Sequence, residues 1–108
     1  MADEYEVAVK KEAREEASAM ILSAVESFGE RSGVVVQERI ESAIDGLAAN
    51  PTRHTRVRYL IGRQFVYRRV LVGSYYRVIF TVDEDARRVD VVRVDSQRSD
   101  PATLDDLP

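Results

Sequence analysis

Arginine is the residue type whose number and placement point most directly to chemistry in this 108-residue chain. Seven arginines and no carboxylate lie within residues 46–82, whereas acidic residues outnumber basic ones eleven to five in residues 1–45 and eight to four in residues 83–108. The net charge of −3 therefore hides a basic middle segment. Because a guanidinium presents a planar fork that matches phosphate and carboxylate, this segment is predicted to bind an anion unless the acidic flanks neutralise it.

The other reactive residue types exclude most enzyme chemistry. The chain has no cysteine and a single histidine, His54, so disulfides, thiolate zinc and multi-histidine metal sites are ruled out within one chain. The carboxylates lack ligand spacing and there is no glycine-rich phosphate loop, so we expect no metal and no organic cofactor. No apolar run approaches the roughly 20 residues of a membrane span, and the charged start does not resemble a signal peptide. We expect a cytoplasmic protein with no membrane partner.

Two apolar periodicities predict the first half of the fold. Residues 5–9 alternate between apolar and polar, which is typical of a short strand. From Glu12 the apolar spacing becomes helical and Gly29 ends the helix; a second helix is predicted after Gly33, ending at Asn50 and Pro51. So short a connection predicts two antiparallel helices.

The second half is predicted to be a three-stranded meander. Residues 63–72, 75–83 and 88–95 are rich in Val, Ile, Tyr and Phe and are separated by turn residues. The predicted fold is α+β, with the order β-α-α-β-β-β and a small antiparallel-rich sheet that carries a helical hairpin on one face. The chain is long enough for one domain, in which we expect residues 101–108 to be a loosely held tail.

A two-residue turn at Gly73-Ser74 sets the predicted register of the first hairpin, with Val72 opposite Tyr75 and Arg68 opposite Ile79. The side chains predicted to face the helices are Phe65, Tyr67, Leu71, Tyr76, Val78, Phe80 and Val82. Those predicted to face away are Arg68, Val70, Val72, Tyr75, Arg77, Ile79 and Thr81. Arg69 falls on the helix side as a misfit that would have to snorkel to an edge or to a helix carboxylate.

This register makes Arg68 and Arg77 diagonal neighbours on the uncovered face, about 7 to 8 Å apart at Cβ. Their repulsion is about 2 kcal/mol at an effective dielectric near 20, so stability alone does not favour the arrangement. Two explanations remain open at this point. An acidic segment of the chain, such as residues 100–106, covers the pair, or a partner supplies the negative charge.

The order of elements and three stretches of sequence resemble the RelE/ParE superfamily of toxins from bacterial type II toxin-antitoxin modules, which includes plasmid stabilisation proteins. The stretches are Tyr67–Phe80, Val91–Val94 and Gln97–Asp100, and the resemblance spans the chain from about Tyr5 to Asp100. It implies growth inhibition: RelE-like members cut messenger RNA on the ribosome, and ParE-like members poison DNA gyrase. It also implies an antitoxin whose C-terminal segment wraps the toxin. We expect that segment to be acidic and partly disordered, and oligomers to form only through the antitoxin or as a weak homodimer.

The resemblance also implies roles for individual residues. Arg77 matches the arginine that stabilises the phosphate in nucleases of the superfamily, Arg98 matches the basic residue after the last strand, and Arg68 lies where nucleases tend to carry a lysine. Val70 stands where a second basic residue is common, and no tyrosine or histidine follows Arg98. These departures favour action on gyrase over a messenger RNA endonuclease, and an inactive antitoxin-binding relative is the third alternative.

A nuclease would also need a base, an acid and charge stabilisation of the phosphorane. Tyr75 is predicted on the arginine face but has an ordinary pKa of about 10; His54 has a suitable pKa but lies in a loop. If the protein is a nuclease, the predicted catalytic residues are Arg77, Arg98 and Tyr75. The predicted substrate- or partner-binding residues are Arg63, Arg68, Arg77, Arg93, Arg98 and His54.

Overall fold

The computed structural model describes residues 4–108. Its helices and strands are β1 (Glu6–Val9), α1 (Lys11–Phe28), α2 (Glu30–Asp45), β2 (Tyr67–Val72), β3 (Tyr76–Asp83) and β4 (Arg88–Ser96). Short 3-10 turns lie at Gly46–Ala48, Pro51–Arg53, Arg58–Leu60 and Pro101–Leu104. The predicted α+β class and element order are confirmed. No helix in the described chain is long and apolar enough to cross a membrane.

The four strands form one mixed sheet in the order β1-β4-β3-β2, in which β1 runs parallel to β4 and the other neighbours are antiparallel. The helical hairpin of α1 and α2 covers one face of this sheet. The buried residues between these two layers are Ala13, Ile40, Leu47, Val72, Val78, Phe80, Val89, Val91 and Val94.

Gly29 ends α1 as predicted, but α2 begins four residues earlier than predicted. Gly29 has a φ of 96°, in the left-handed region that favours glycine, and α2 begins at the next residue. The prediction that the second helix starts after Gly33 is wrong, because Gly33 is buried inside α2. A Cβ at that position would overlap Cγ2 of Val25 on α1. Gly33 therefore allows the two helices to pack closely and does not separate them.

The hairpin of β2 and β3 is one residue out of the predicted register. Val72 pairs with Tyr76, and Leu71 pairs with Arg77, so the loop has three residues instead of two. Because side chains alternate along a strand, this shift moves every β2 side chain to the opposite face. The predicted faces of β3 are confirmed, whereas those of β2 are reversed.

The observed register has a physical advantage over the predicted one. Val70 and Val72 now pack in the helix-side core, and Tyr67 packs beside Ile79 on the other face. Arg69 also points away from the helices, and Arg68 takes the helix-side position instead, where its Nη1 donates to the carbonyl of His54. The advantage of the observed register is therefore the burial of Tyr67 and Val72; Phe65 lies outside β2 and is exposed.

The face of the sheet away from the helices is partly covered by the chain itself. Residues 57–60 and the C-terminal segment pack on it, and the buried cluster there comprises Val57, Leu60, Tyr67, Ile79 and Leu104. The backbone N–H of Gln64 also donates to the carbonyl of Pro108 at 2.7 Å. We expected residues 101–108 to be loosely held, but Leu104 is fully buried. Burying such a leucine contributes roughly 1.5 to 3 kcal/mol, which holds the segment down.

A β-bulge in β4 changes which side chains face this second layer. Ile79 pairs with Arg93, but Phe80 pairs with Val91, so Val92 is an extra residue. Val91 and Val94 both face the helix-side core. Val92 and Arg93 instead contact the C-terminal side, where Val92 packs on the second cluster.

Candidate functional site

Arg77, the central residue of the predicted site, is held in an ion pair by the chain itself. Its Nε donates to Oδ1 of Asp95 at 2.9 Å, and its Nη2 donates to Oδ2 at 2.7 Å. The two residues face each other across β3 and β4, and their side chains are only 17% and 10% exposed. The hydrogen bonds to Asp95 raise the pKa of Arg77 further above its ordinary value, against the effect of burial.

A cavity of about 270 Å³ lies beside Arg77, lined by Arg69, Leu71, Arg77 and Gln97. We call it the Arg77 cavity. Arg69 lies on the same face as Arg77 because it pairs with Ile79, two residues further along β3. None of the four lining side chains can accept a proton at neutral pH, so the cavity offers charge and hydrogen bonds but no base.

Arg93 is bound by the C-terminal segment. Its guanidinium donates to both carboxylate oxygens of Asp106, at 2.6 and 2.5 Å, and to the carbonyl of Thr103 at 2.9 Å. Glu16 of α1 lies 3.6 Å away and also accepts the backbone N–H of Val94 at 3.0 Å. Burial raises the pKa of Glu16, although the Val94 N–H and the Arg93 charge oppose the shift.

Arg63 is bound by the same segment. It donates to the carbonyls of Leu107, at 2.8 Å, and Asp105, at 3.2 Å, and lies 3.5 Å from the Asp105 carboxylate. Tyr59 donates its hydroxyl to that carboxylate at 2.7 Å, and this hydrogen bond is the main reason that the pKa of Tyr59 is raised. Arg63 and Arg93 therefore anchor the C-terminal segment over the second face of the sheet.

Arg68 and His54 lie together, but on the other side of the sheet from Arg77. Arg68 pairs with Phe80, a helix-side core residue, and its Nη1 donates to the carbonyl of His54 at 2.8 Å. The His54 ring contacts Phe80 edge-on, with centroids 5.7 Å apart. Burial, followed by the charges of Arg53 and Arg68, lowers the pKa of His54. The predicted neighbourhood of Arg68 and Arg77 is therefore wrong, since it depended on the two-residue turn.

Tyr75 and Arg98 meet at the loop between β2 and β3 and not on a sheet face. The guanidinium of Arg98 lies over the Tyr75 ring, 5.4 Å from its centroid. Gln97 holds the loop with three hydrogen bonds. Its backbone N–H donates to the carbonyl of Tyr75 at 2.7 Å, and its side chain donates to the carbonyls of Gly73 and Tyr76. Tyr75 itself is 57% exposed.

The predicted site residues thus divide into four groups: Arg77, Arg63 with Arg93, Arg68 with His54, and Tyr75 with Arg98. Sequence reasoning missed Asp95 and Gln97, which position two of these groups. Apolar and polar residues alternate from Val92 to Asp95, and this pattern could have assigned the Asp95 side chain to one face of the sheet. The assignment requires the position of the bulge, because the bulge changes which residues of β4 share a face. Within residues 4–108, no group of three or more His, Asp or Glu side chains could hold a metal ion.

A family match and two solved structures place this chain among known proteins. Residues 7–101 match the family described as "ParE toxin of type II toxin-antitoxin system, parDE". The fold is similar to a structure of the chromosomal ParDE toxin-antitoxin system from P. aeruginosa, with a TM-score of 0.71 and 12% identity over 87% of this chain and 97% of that one. It is also similar to the RelBE2 toxin-antitoxin complex from Mycobacterium tuberculosis, with a TM-score of 0.57 and 21% identity over 92% of this chain and 98% of that one. No curated protein matches the chain.

The two solved structures are similar in fold, and the family match covers nearly the whole arrangement described above, from β1 through Pro101. The resemblance seen in the sequence is confirmed. This chain belongs to the ParE toxin family of type II toxin-antitoxin systems.

Proposed function

We propose that this toxin inhibits growth by binding a protein target, DNA gyrase, and that it does not cut messenger RNA. The observation that carries the proposal is the pairing of Arg77 with Asp95. An arginine that stabilises a phosphorane must direct its charge at the phosphate, but this guanidinium already directs two donors at a carboxylate. A phosphate at Arg77 would either meet the negative charge of Asp95 or leave that buried carboxylate unpaired.

The positions of the possible bases support the same reading. Tyr75 lies in an exposed loop beneath Arg98, and His54 lies on the opposite side of the sheet from Arg77. General base catalysis requires hydrogen-bond reach to the attacking hydroxyl. The sheet therefore separates His54 from a substrate hydroxyl beside the Arg77 cavity, and Tyr75 holds its ring against Arg98. A toxin that acts by binding has no need of a base.

An antitoxin is the second partner we propose, and an apolar groove supports where it binds. A cavity of about 170 Å³ lies between the end of α1, α2 and the β2–β3 loop, with Phe28, Arg39 and Tyr75 among its lining. Phe28 is 79% exposed there and Tyr75 is 57% exposed, so the cavity presents two exposed aromatic side chains on one surface. A segment with an apolar anchor and acidic flanks would cover Phe28 and pair with Arg39. Both solved structures named above are of toxin-antitoxin systems.

The test is induced expression of the toxin without an antitoxin, followed by three measurements on the same culture. We expect growth to stop and plasmid supercoiling to fall while full-length messenger RNA persists. Purified toxin should likewise inhibit supercoiling by purified gyrase. Coexpression of an antitoxin should restore growth, and its C-terminal segment should copurify with the toxin less well when Phe28→Ser is introduced.

The alternatives give different results in this culture. Cleaved messenger RNA with normal supercoiling would identify an endonuclease and contradict the proposal. Normal growth with a folded, soluble toxin would indicate an inactive antitoxin-binding relative and would also contradict it.

A further inference from the structure

Arg53, Arg56 and Arg68 form a basic surface around His54 at the outer edge of β2. We call these four residues the Arg53 patch. Residues 55–57 run antiparallel to β2 and bond to it, from the Val57 N–H to the Tyr67 carbonyl at 2.8 Å and from the Arg69 N–H to the Thr55 carbonyl at 2.9 Å. This pairing extends the sheet and brings the loop arginines beside the strand.

The pairing places two arginines directly opposite each other. Arg56 and Arg68 form an antiparallel bridge, and the hydrogen bonds on either side of it show that the pair is the non-hydrogen-bonded type, with Cα atoms about 4.5 Å apart. Both side chains leave the sheet on the same side. Like charges that face each other across strands are destabilising, so stability does not explain this arrangement.

The arginines of this patch lack the carboxylate partners that Arg63, Arg77 and Arg93 have. Asp95 neutralises Arg77, Asp106 neutralises Arg93 and Asp105 approaches Arg63. Within residues 4–108, no carboxylate forms an ion pair with an arginine of the patch. Burial, and after it the charges of Arg53 and Arg68, lowers the pKa of His54. The part due to the arginines is consistent with positive charge that the chain itself does not compensate.

We propose that the Arg53 patch binds the phosphodiester backbone of a nucleic acid. Guanidinium forks match phosphate oxygens. Arg53 and Arg56 are exposed and Arg68 commits only its Nη1, to the carbonyl of His54, so the three guanidinium groups could contact successive phosphates. A protein segment that orders on binding needs apolar anchors to offset its entropy; residues 51–56 expose no large apolar side chain, and the exposed Phe65 and Val66 lie before the strand that carries Arg68. This favours phosphate over an acidic peptide. The inference goes beyond the proposed function and does not depend on it, because the patch lies on the other side of the sheet from Arg77.

The test is binding of a fluorescent 20-base-pair DNA duplex, and of a single-stranded RNA of equal charge, to the full chain across a salt series. Arg53→Gln/Arg56→Gln removes two exposed charges. We expect it to weaken binding about tenfold at low salt and to reduce the slope of log K against log salt by about 2. Arg14→Gln/Arg31→Gln, which removes two exposed charges from α1 and α2, is the matched control and should change Kd less than twofold.

His54, the only histidine in the chain, provides a second measurement that is specific to the patch. Its imidazole resonance identifies the patch in an NMR titration, and saturating duplex should raise its pKa because phosphates compensate the neighbouring arginines. Equal loss of affinity in the two double variants, or an unchanged His54 pKa, would show generic attraction and overturn the proposal. So would no binding at low salt, or tighter binding of a poly-glutamate peptide of equal charge that depends on Arg53 and Arg56.

Discussion

At the scale of single residues, the Arg77–Asp95 pair governs both stability and the interpretation of activity. Arg77→Ala would leave a mostly buried carboxylate without its two donors, and we expect the free energy of unfolding to fall by about 3 to 5 kcal/mol. Urea unfolding measures this. Replacing the pair together, as Arg77→Met/Asp95→Leu, should cost far less, because an apolar pair needs no compensation.

A loss below about 1 kcal/mol in Arg77→Ala would contradict a structural role for the pair. The result matters for any toxicity assay, since a loss of growth inhibition in Arg77→Ala could arise from unfolding alone. The double variant therefore separates a missing guanidinium from a destabilised protein.

His54 should make folding stability depend on pH in a defined direction. Its pKa is lowered from the ordinary value of 6.5, so the folded protein binds that proton less tightly than the unfolded chain does. The contribution to stability is therefore full above the ordinary value and is lost as the pH falls from that value through the lowered pKa of the folded protein. Comparing urea unfolding at about pH 7.5 and about pH 5.5, the native protein should lose more stability than His54→Asn. Equal losses would contradict the shift; carboxylates such as Glu16 titrate in both proteins.

At the scale of elements, the close approach of α1 and α2 depends on Gly33. Gly33→Ala would place a Cβ against Cγ2 of Val25 and 3.5 Å from the carbonyl of Ile21. Valine has little rotamer freedom in a helix, so we expect a loss of about 1 to 3 kcal/mol in spite of the better helix propensity of alanine.

Gly46 provides the matched control. It has a helical φ of −64°, and a Cβ there would meet nothing within 4 Å. Gly46→Ala should therefore raise the free energy of unfolding by about 0.4 to 1 kcal/mol. If both variants shifted the melting temperature in the same direction, the packing role of Gly33 would be wrong.

Sequence pattern predicted the elements well because periodicity is a local property. The apolar stripe of α1 and the alternation of side chains in β3 are each visible in one short stretch of the sequence. The register of β2 is different, since it depends on whether Tyr75 belongs to the loop or to the strand. That choice is made by Gln97, which holds the loop from 21 and 24 residues away in the chain, and no local pattern contains this contact.

At the scale of the whole molecule, the C-terminal segment is an integral layer. Leu104 is fully buried in the cluster that also contains Val57, Leu60, Tyr67 and Ile79. We expect Leu104→Ala to lower the free energy of unfolding by about 2 to 5 kcal/mol, measured by thermal or urea unfolding. Leu22→Ala, on the exposed side of α1, should change it by no more than about 0.5 kcal/mol. An effect of Leu104→Ala as small as that would mean that the segment is loosely held after all.

The sequence predicts the charge of each segment but not which arginines are neutralised. The sequence showed a basic middle and acidic flanks, and it left open whether the flanks neutralise the arginines. The structure answers this differently for each arginine: Arg77 meets a carboxylate 18 residues away, whereas no acidic side chain of residues 4–108 pairs with Arg53 or Arg56. Which arginines are compensated depends on the folded arrangement, and composition carries no information about it.

The parallel pairing of β1 with β4 has a consequence for the order of events during folding. Glu6 aligns with Arg88, so the first strand has no neighbour in the sheet until the last strand has taken its place. Local hairpins such as α1–α2 and β2–β3 can form early, but closing so long a loop is entropically expensive and slow. A nascent toxin would therefore leave its first strand unpaired, and accessible to proteases, until synthesis had passed β4.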